Sequence, residues 1–319
     1  MPATRFLNDP IDAAKVLADG GTVAIPTETV YGLAARFDRP EAVGNIFKAK
    51  GRPSDNPLIV HLASLAWLPR ITPAAPENAI QLLTHFAPGP LTVTVPRGPV
   101  VSDQITAGLA SVAVRIPAHP LARAVLDALD VPLVAPSANR SGRPSPTTWQ
   151  AVRDELDGRI DAILMGPPTT VGIESTVVDC CSQPPRLLRP GGISYEQLLD
   201  LIPDLQIYVA DPSNLQNAAS PGLRHRHYSP RCKIILVDQV ETIEPQLATA
   251  LLSLEAHPRA QDFAWTEIFP TTEAYAAGLF SAFRRADQDN LNALYCEQVP
   301  TSGIGRGIMD RLRRAAESS

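Results

Sequence analysis

Proline restricts the fold of this chain more than any other residue type. The sequence contains 32 prolines in 319 residues, about twice the roughly 5% that is usual. Proline fixes its own φ angle and has no backbone N–H, so it ends helices and is excluded from central strands. The chain is therefore predicted to consist of many short elements joined by stiff turns.

Short apolar runs alternate with helical patterns along the chain. Residues 22–25 and 57–62 are predicted strands. A helix is predicted to begin at Pro10, with Asp9 as its N-cap. This alternation is typical of a mixed α/β fold. Polar residues that follow the strand ends would then gather at one edge of a sheet, where open α/β sheets bind ligands.

The pattern of apolar and polar residues changes twice along the chain. Residues 1–210 are predicted to form a large domain. Residues 211–231 have little hydrophobic periodicity and are predicted to be a linker, whereas residues 232–319 are predicted to form a small α/β domain. Within that small domain, residues 242–254 and 271–286 are predicted helices.

The composition argues against several classes of protein. A formal net charge of −5 and a pI near 5.7 are unusual for a protein whose main task is to bind the nucleic-acid backbone. No apolar run approaches the roughly 18 residues of a membrane span, and the N terminus lacks a signal-peptide pattern, which predicts a cytoplasmic protein with no membrane partner. The four cysteines have neither zinc nor disulfide spacing, and His225 and His227 have no further ligands beside them, so no protein-bound metal is predicted.

A phosphate-binding site in this chain would have to use side chains. The sequence has no P-loop motif, no G-x-S-x-G, no H-E-x-x-H and no G-x-G-x-x-G after a strand. Lys50 is one of only four lysines, and together with Arg52 and Asn56 it provides donors that suit phosphates or carboxylates. On spacing alone, however, such residues more often form the solvated end of a loop.

Arg115 is harder to explain as a core residue. It lies between Val114 and Ile116 in a predicted strand, where a guanidinium needs a partner or access to water. A substrate carboxylate would be one such partner. His61, also in a predicted strand, is by itself more typical of a core histidine with satisfied hydrogen bonds. The 137–139 segment is compatible with a simple Asx turn.

Taken together, seven segments resemble the YrdC-type threonylcarbamoyl-AMP synthases in residue type, order and spacing. They are residues 27–32 (TETVYG), 50–53 (KGRP), 56–61 (NPLIVH), 88–90 (PGP), 112–117 (VAVRIP), 135–139 (APSAN) and 174–179 (ESTVVD). Residues 220–230 and the small domain resemble the long two-domain form of that family. The resemblance implies a large N-terminal YrdC-like domain with a twisted mixed sheet, a linker that can cover the active site, and a second, smaller Rossmann-like α/β domain.

The resemblance also implies an activity. The enzyme would join L-threonine, bicarbonate and ATP into threonylcarbamoyl-adenylate and pyrophosphate. The adenylate would serve the threonylcarbamoyl modification of the adenosine next to the anticodon in tRNA, through downstream tRNA threonylcarbamoyl-transferase proteins. Mg²⁺ would accompany ATP, and direct tRNA binding would be weak or absent.

Particular residues receive roles from the resemblance. Threonine would be bound by Thr29, His61, Arg115, Ala135 and Ser175. ATP would be bound by Arg52, Asn56, Ser111, Ser137, Ser145, Arg189 and Tyr228. Lys50 and Arg52 would be catalytic, because they would neutralise charge at the phosphates.

Two other functions stay open on the sequence. A structured-RNA-binding module is suggested by the link of the family to tRNA, although the acidic balance of the chain speaks against it. A carbamoyltransferase-type maturation factor has a similar central domain. That protein would need acyl-phosphatase and zinc modules, and four scattered cysteines cannot form the latter.

Overall fold

The computed structural model describes residues 3–209 and 229–317. Most of the predicted linker at 211–231, including Tyr228, lies outside these ranges. Within them, the chain folds into a large mixed α/β unit followed by a smaller α/β unit. The predicted fold class is therefore confirmed, whereas the predicted domain bounds stay predictions.

The large unit alternates short strands with short helices. Its strands are β1 (Arg5–Leu7), β2 (Val23–Ile25), β3 (Gly32–Arg36), β4 (Ile59–His61), β5 (Leu91–Pro96), β6 (Ser111–Arg115), β7 (Leu133–Val134), β8 (Ala162–Leu164), β9 (Thr176–Asp179), β10 (Arg186–Arg189) and β11 (Gln206–Ile207). Its helices are α1 (Pro10–Ala18), α2 (Pro40–Lys50), α3 (Glu77–Phe86), α4 (Asp103–Thr106), α5 (Pro120–Leu129), α6 (Trp149–Leu156) and α7 (Tyr195–Leu199), and a 3₁₀ helix spans Leu65–Arg70. None of them is long, as the prolines predict.

The beginning of α1 follows the local signals of the sequence. The Asp9 carboxylate accepts a 2.8 Å hydrogen bond from the backbone N–H of Ile11, and Pro10 takes the first helical position. The aspartate carboxylate accepts a hydrogen bond from a backbone N–H that has no partner within the helix. Proline suits the first helical position because it has no N–H that would need a partner there. The strands predicted at 22–25 and 57–62 correspond to β2 and β4.

The large sheet joins strands that are distant in sequence. Among the described residues, its strands follow the order β1-β8-β2-β3-β7-β4-β6-β5-β9-β10-β11. β4 is parallel to β6 and antiparallel to β7. β5 is antiparallel to β6 and parallel to β9. His61 and Arg115 are direct partners across β4 and β6, so the two side chains lie side by side at the strand ends.

The small unit is a parallel sheet with two long helices. Its strands are β12 (Lys233–Val237), β13 (Thr249–Ser253), β14 (Trp265–Ile268) and β15 (Ala293–Glu297), and its helices are α8 (Thr272–Gln288) and α9 (Gly305–Glu317). Two shorter 3₁₀ helices span Val240–Thr242 and Ala260–Asp262. In the described part of the unit, the strand order is β12-β15-β13-β14, with every pair parallel.

The prediction of a helix at 242–254 was wrong. This stretch follows the first 3₁₀ helix and contains β13, whose residues are all buried. β13 lies between β14 and β15 and is covered on both faces. Strands buried on both faces are continuously apolar, and such a run cannot be told from a buried helix by its periodicity.

The two units pack directly against each other. Val30 and Ile173 of the large unit lie in the same buried cluster as the core of the small unit. Gly172, at φ 78°, approaches α8 so closely that an added Cβ atom would lie 2.3 Å from the Ala277 Cα atom. The loops at residues 27–32 and 172–175, which carry predicted site residues, are therefore held partly by the small unit.

Candidate active site

A cavity lies where the ends of β4 and β6 meet the loops after β2, α2 and β7 and the loop before β9. Ten predicted site residues line it: Thr29, Lys50, Arg52, His61, Arg115, Ala135, Ser137, Ser145, Ser175 and Arg189. These residues come from elements spread over most of the large unit. The sheet order brings them together.

Arg115 is buried and is bound by groups of the protein. Its Nη2 atom lies 2.6 Å from Oε1 of Glu28, and its Nη1 atom donates to Oγ1 of Thr29 at 2.9 Å. Burial raises the pKa of the Glu28 carboxyl, but the charge and hydrogen bond of Arg115, together with backbone hydrogen bonds from Glu28 and Ala118, lower this pKa overall. These contacts and one to the Gly89 carbonyl use three of the five N–H donors of the arginine, which leaves donors for a ligand carboxylate.

His61 is a neutral histidine at physiological pH. Burial, together with the positive charge of Arg115, lowers its pKa to about 3. Its Nδ1 atom lies 3.2 Å from the Ile59 carbonyl oxygen, which can only accept. The hydrogen bond therefore assigns the proton to Nδ1 and leaves Nε2 as an acceptor.

Lys50 is buried at the C-terminal end of α2. Gly51, at φ 59°, ends the helix in the left-handed region. The Nζ atom of Lys50 donates to the carbonyl oxygen of Asn139 at 2.5 Å and to that of Ser137. Burial, followed by the positive charge of Arg52, lowers the pKa of Lys50 well below its usual value. Lys50 lines the cavity, and its contacts hold the loop after β7 in place.

Ser175 and Arg189 form one hydrogen-bonded unit. Arg189 Nε donates to the Ser175 carbonyl at 3.1 Å, and Nη2 donates to the Ser175 hydroxyl at 3.2 Å. Thr92 Oγ1 lies 2.8 Å from the same hydroxyl. The residue predicted to bind threonine thus contacts a residue predicted to bind ATP, so the two predicted subsites adjoin.

Ser145 is bound to an acidic residue of the cavity wall. Its hydroxyl donates to Oε1 of Glu174. The other carboxylate oxygen of Glu174 lies 3.0 Å from Nε of Arg311, a residue of α9 in the small unit. The small unit thus contributes a cation directly behind the cavity.

Two predicted site residues that the structure describes, Asn56 and Ser111, do not line the cavity. Asn56 is buried in the loop before β4, and Ser111 is half-buried at the beginning of β6, opposite Pro96. Tyr228 lies outside the described residues. Arg52 does line the cavity and donates from Nη2 to the Pro57 carbonyl at 3.0 Å. The ligand roles of all these residues stay predictions.

Three charged residues at the site had no predicted role: Glu28, Glu174 and Arg311. Glu28 and Glu174 lie within two of the segments that resemble the family. The available signal was an acidic residue beside hydroxyl residues, between Thr27 and Thr29 in one case and next to Ser175 in the other. For Arg311 the local sequence offers no signal, because its partner Glu174 lies 137 residues away.

The groups that line the cavity suit anions. The polar side chains among them are mainly guanidinium, amine and hydroxyl groups, whereas divalent cations prefer carboxylate and carbonyl oxygens. No cluster of three or more metal-ligating side chains occurs among residues 3–209 and 229–317. No helix in these ranges has the length and apolarity to cross a membrane.

The fold and the cavity define an α/β protein of two units, with a cavity whose polar side chains suit anions. Comparison with known proteins identifies its family. A family model described as "Telomere recombination" (Sua5/YciO/YrdC) matches residues 15–191, and one described as "Threonylcarbamoyl-AMP synthase, C-terminal domain" matches residues 193–317. The chain belongs to the threonylcarbamoyl-AMP synthase family, in its long two-domain form.

Similarity to relatives extends over nearly the whole chain. The threonylcarbamoyl-AMP synthase of Bacillus subtilis is 40% identical, over 97% of this chain and 94% of that protein. The one of Pyrococcus abyssi is 38% identical, over 95% of this chain and 93% of that protein. The crystal structure of P. abyssi Sua5 complexed with L-threonine has a TM-score of 0.91 at 35% identity and covers 99% of this chain and 98% of that chain. The resemblance predicted from the sequence is confirmed.

Proposed function

We propose that this protein forms threonylcarbamoyl-adenylate and pyrophosphate from L-threonine, bicarbonate and ATP, for the threonylcarbamoyl modification of tRNA. One observation carries the proposal: a single cavity places a buried arginine and a neutral histidine beside a second group of cationic and hydroxyl side chains. The first group suits an amino acid, and the second suits phosphates. Relatives named threonylcarbamoyl-AMP synthase and the P. abyssi structure with L-threonine support this reaction over the two alternatives.

The amino-acid subsite is built around Arg115. Its guanidinium binds the threonine carboxylate through charge-assisted hydrogen bonds, worth roughly 1.5–3 kcal/mol each. Neutral His61 offers Nε2 as an acceptor for the threonine hydroxyl, and Thr29, Ala135 and Ser175 complete the subsite. Valine would leave such an acceptor buried without a donor, and a site built in this way discriminates strongly against an analogue that lacks the hydroxyl.

The nucleotide subsite adjoins it. ATP is bound by Arg52, Asn56, Ser111, Ser137, Ser145, Arg189 and Tyr228. Mg²⁺ enters with ATP as part of the substrate, held by phosphates and water, because the cavity groups are mainly donors to anions. Bound phosphates raise the pKa of Lys50 again, because a nearby anion favours the charged amine, and Lys50, Arg52 and Arg189 then neutralise charge that develops on the phosphates.

The reaction needs positioning more than covalent help from the protein. The threonine amine takes up the carboxyl group of bicarbonate with loss of water, which gives a carbamate. A carbamate oxygen then attacks the α-phosphorus in line, a P–O bond forms, the bond to the β-phosphate bridging oxygen breaks, and pyrophosphate leaves. Orientation and fixed charges lower the barrier of such a step. A cover over the site would protect the labile carbamate from water, and the segment at 211–231 is the one predicted to supply it.

The adenylate is an intermediate that other proteins consume. We propose that it passes to tRNA threonylcarbamoyl-transferase proteins in the cytoplasm. Direct tRNA binding by this chain is proposed to be weak or absent, because a formal net charge of −5 repels a phosphate backbone.

Labelled bicarbonate tests the proposed reaction. The protein is incubated with ATP, Mg²⁺ and each amino acid in turn, and incorporated label and released pyrophosphate are measured together. We expect both signals to require threonine and bicarbonate, with far smaller signals for valine. Pyrophosphate release that does not depend on both substrates would contradict the proposal.

A further inference from the structure

One arginine of the small unit joins two segments of the large unit. Arg311, on α9, is fully buried. Its Nε atom donates to Oε2 of Glu174 at 3.0 Å, and its Nη1 atom donates to the Pro190 carbonyl at 2.6 Å. Its Nη2 atom lies 3.4 Å from the Glu174 carbonyl oxygen. The segments that contain Glu174 and Pro190 are thus held together by a side chain that neither of them contains.

Both segments carry residues predicted to bind substrate. Glu174 precedes Ser175, and Pro190 follows Arg189, which itself donates to Ser175. The Glu174 carboxylate also lines the cavity and accepts the hydrogen bond of Ser145. The Arg311 guanidinium is therefore linked through Glu174 to Ser145, by a hydrogen bond, and to Ser175, by the chain.

The backbones at this contact are packed closely. A Cβ atom on Gly307 of α9 would lie 2.7 Å from Cδ1 of Ile173. A Cβ atom on Gly191 would lie 2.3 Å from the Glu174 carbonyl oxygen. A Cβ atom on Gly307 would also lie 3.3 Å from the Gly191 Cα atom, so both glycines allow α9 and the loops at 173–175 and 190–191 to approach one another closely. Any change in the seating of α9 is expected to move Glu174.

We propose that Arg311 is a positioning residue for the ATP subsite and acts through Glu174. A buried carboxylate without a cation is unfavourable and tends to turn toward water or take up a proton. With Arg311 in place, the Glu174 carboxylate is held beside the cavity and keeps Ser145 oriented. The inference rests on the proposed function for the identity of the nucleotide, and it gives the small unit a part in binding that nucleotide.

The variant Arg311→Met tests the proposal, because methionine keeps an apolar stem and removes the guanidinium. We expect the Kd for ATP, measured by calorimetry on the full-length protein, to rise about tenfold, which corresponds to about 1.4 kcal/mol. Arg314→Met is the matched control. Arg314 also lies on α9 and contacts Asp310 at 3.1 Å, an anion that Arg311 contacts at 3.0 Å as well, so its substitution also removes a guanidinium beside Asp310 but leaves the Arg311–Glu174 pair in place. This control should keep the wild-type Kd.

A double variant separates positioning from loss of stability. Arg311→Met leaves the Glu174 carboxylate buried without its cation, and Glu174→Gln in the same chain removes that charge. We expect the double variant to regain most of the unfolding temperature lost in Arg311→Met while its ATP affinity stays about tenfold weak. Recovery of stability and affinity together, or a wild-type Kd in Arg311→Met, would overturn the proposal.

The binding measurement is independent of the overall reaction. If the wild-type protein binds ATP but releases no pyrophosphate in response to threonine and bicarbonate, the proposed function fails while the Kd values still decide the role of Arg311. If the wild-type protein is active, the KM for ATP should rise in the double variant in parallel with the Kd. An unchanged KM for ATP in that variant would refute the role of Arg311 alone.

Discussion

His61 is expected to make the protein less stable in mild acid. Burial and the positive charge of Arg115 lower the pKa of its imidazole from 6.5 to about 3. The unfolded chain therefore takes up a proton below pH 6.5, whereas the folded protein does not do so until about pH 3. Between these values the unfolded state binds more protons, so the free energy of unfolding falls as the pH falls.

The expected loss at pH 5 is about 2 kcal/mol. It equals RT ln(1 + 10^1.5), because the unfolded-state pKa lies about 1.5 units above pH 5 and the folded-state histidine is still neutral there. The same expression is close to zero at pH 7.5. His61→Gln removes the titrating group, and its amide can still donate to the Ile59 carbonyl. The variant should therefore lose about 2 kcal/mol less than wild type between pH 7.5 and pH 5.

Urea unfolding followed by circular dichroism at pH 7.5, 6 and 5 measures this difference. Wild type and His61→Gln share all other acid-titrating groups, so the comparison isolates His61. His85→Gln, on the exposed face of α3, is the control and should keep the wild-type pH dependence because His61 is intact. If wild type and His61→Gln lost the same stability on acidification, the reasoning that His61 is held neutral by burial would be wrong.

Three further predictions test the site and the contact between the units. Glu28→Gln leaves Arg115 buried without its anion and should lower the free energy of unfolding by about 3–5 kcal/mol. Saturating L-threonine should then raise the unfolding temperature of this variant more than that of wild type. An equal rise would contradict the binding of the threonine carboxylate by Arg115. Arg115→Ala should mainly raise the KM for threonine, whereas Arg52→Ala should mainly raise the KM for ATP; equal losses would indicate misfolding. Gly172→Ala should lower the unfolding temperature more than Gly158→Ala. Both glycines have positive φ, which costs alanine about 1–2 kcal/mol, but only at Gly172 would the added Cβ atom lie 2.3 Å from a backbone atom of α8. Similar losses in the two variants would argue against tight packing on α8.

Local signals located many elements of the fold correctly. The beginning of α1 depends on Asp9 and Pro10, which act on backbone groups within one turn. The helix at 272–288 was predicted within a few residues for the same kind of reason. The prediction at 242–254 failed because an apolar run can form either a helix or a strand, and the elements that pack beside it decide between the two. β13 is a strand because β14 and β15 flank it, and both lie outside the 242–254 stretch from which the helix was predicted.

The candidate site divides in the same way. Residue types, together with a resemblance in several short segments, identified ten residues that line one cavity. The pattern at Arg115 showed that the guanidinium needed a partner, but not that Glu28, 87 residues away, is one. Asn56 and Ser111 do not line the cavity in the described structure, and linear spacing could not show this, because it does not tell which way a residue in a loop or at a strand end faces.

The sequence by itself determined the short, proline-divided elements, the α/β class and the supply of anion-binding side chains, because these follow from local backbone preferences and from composition. Only the tertiary structure decided how the charges are paired. Glu28 compensates Arg115, and Arg311 of the small unit compensates Glu174 behind the cavity. A buried charge is stable only beside its counter-charge, and the folded packing of distant segments, 87 and 137 residues apart in these two cases, selects that partner.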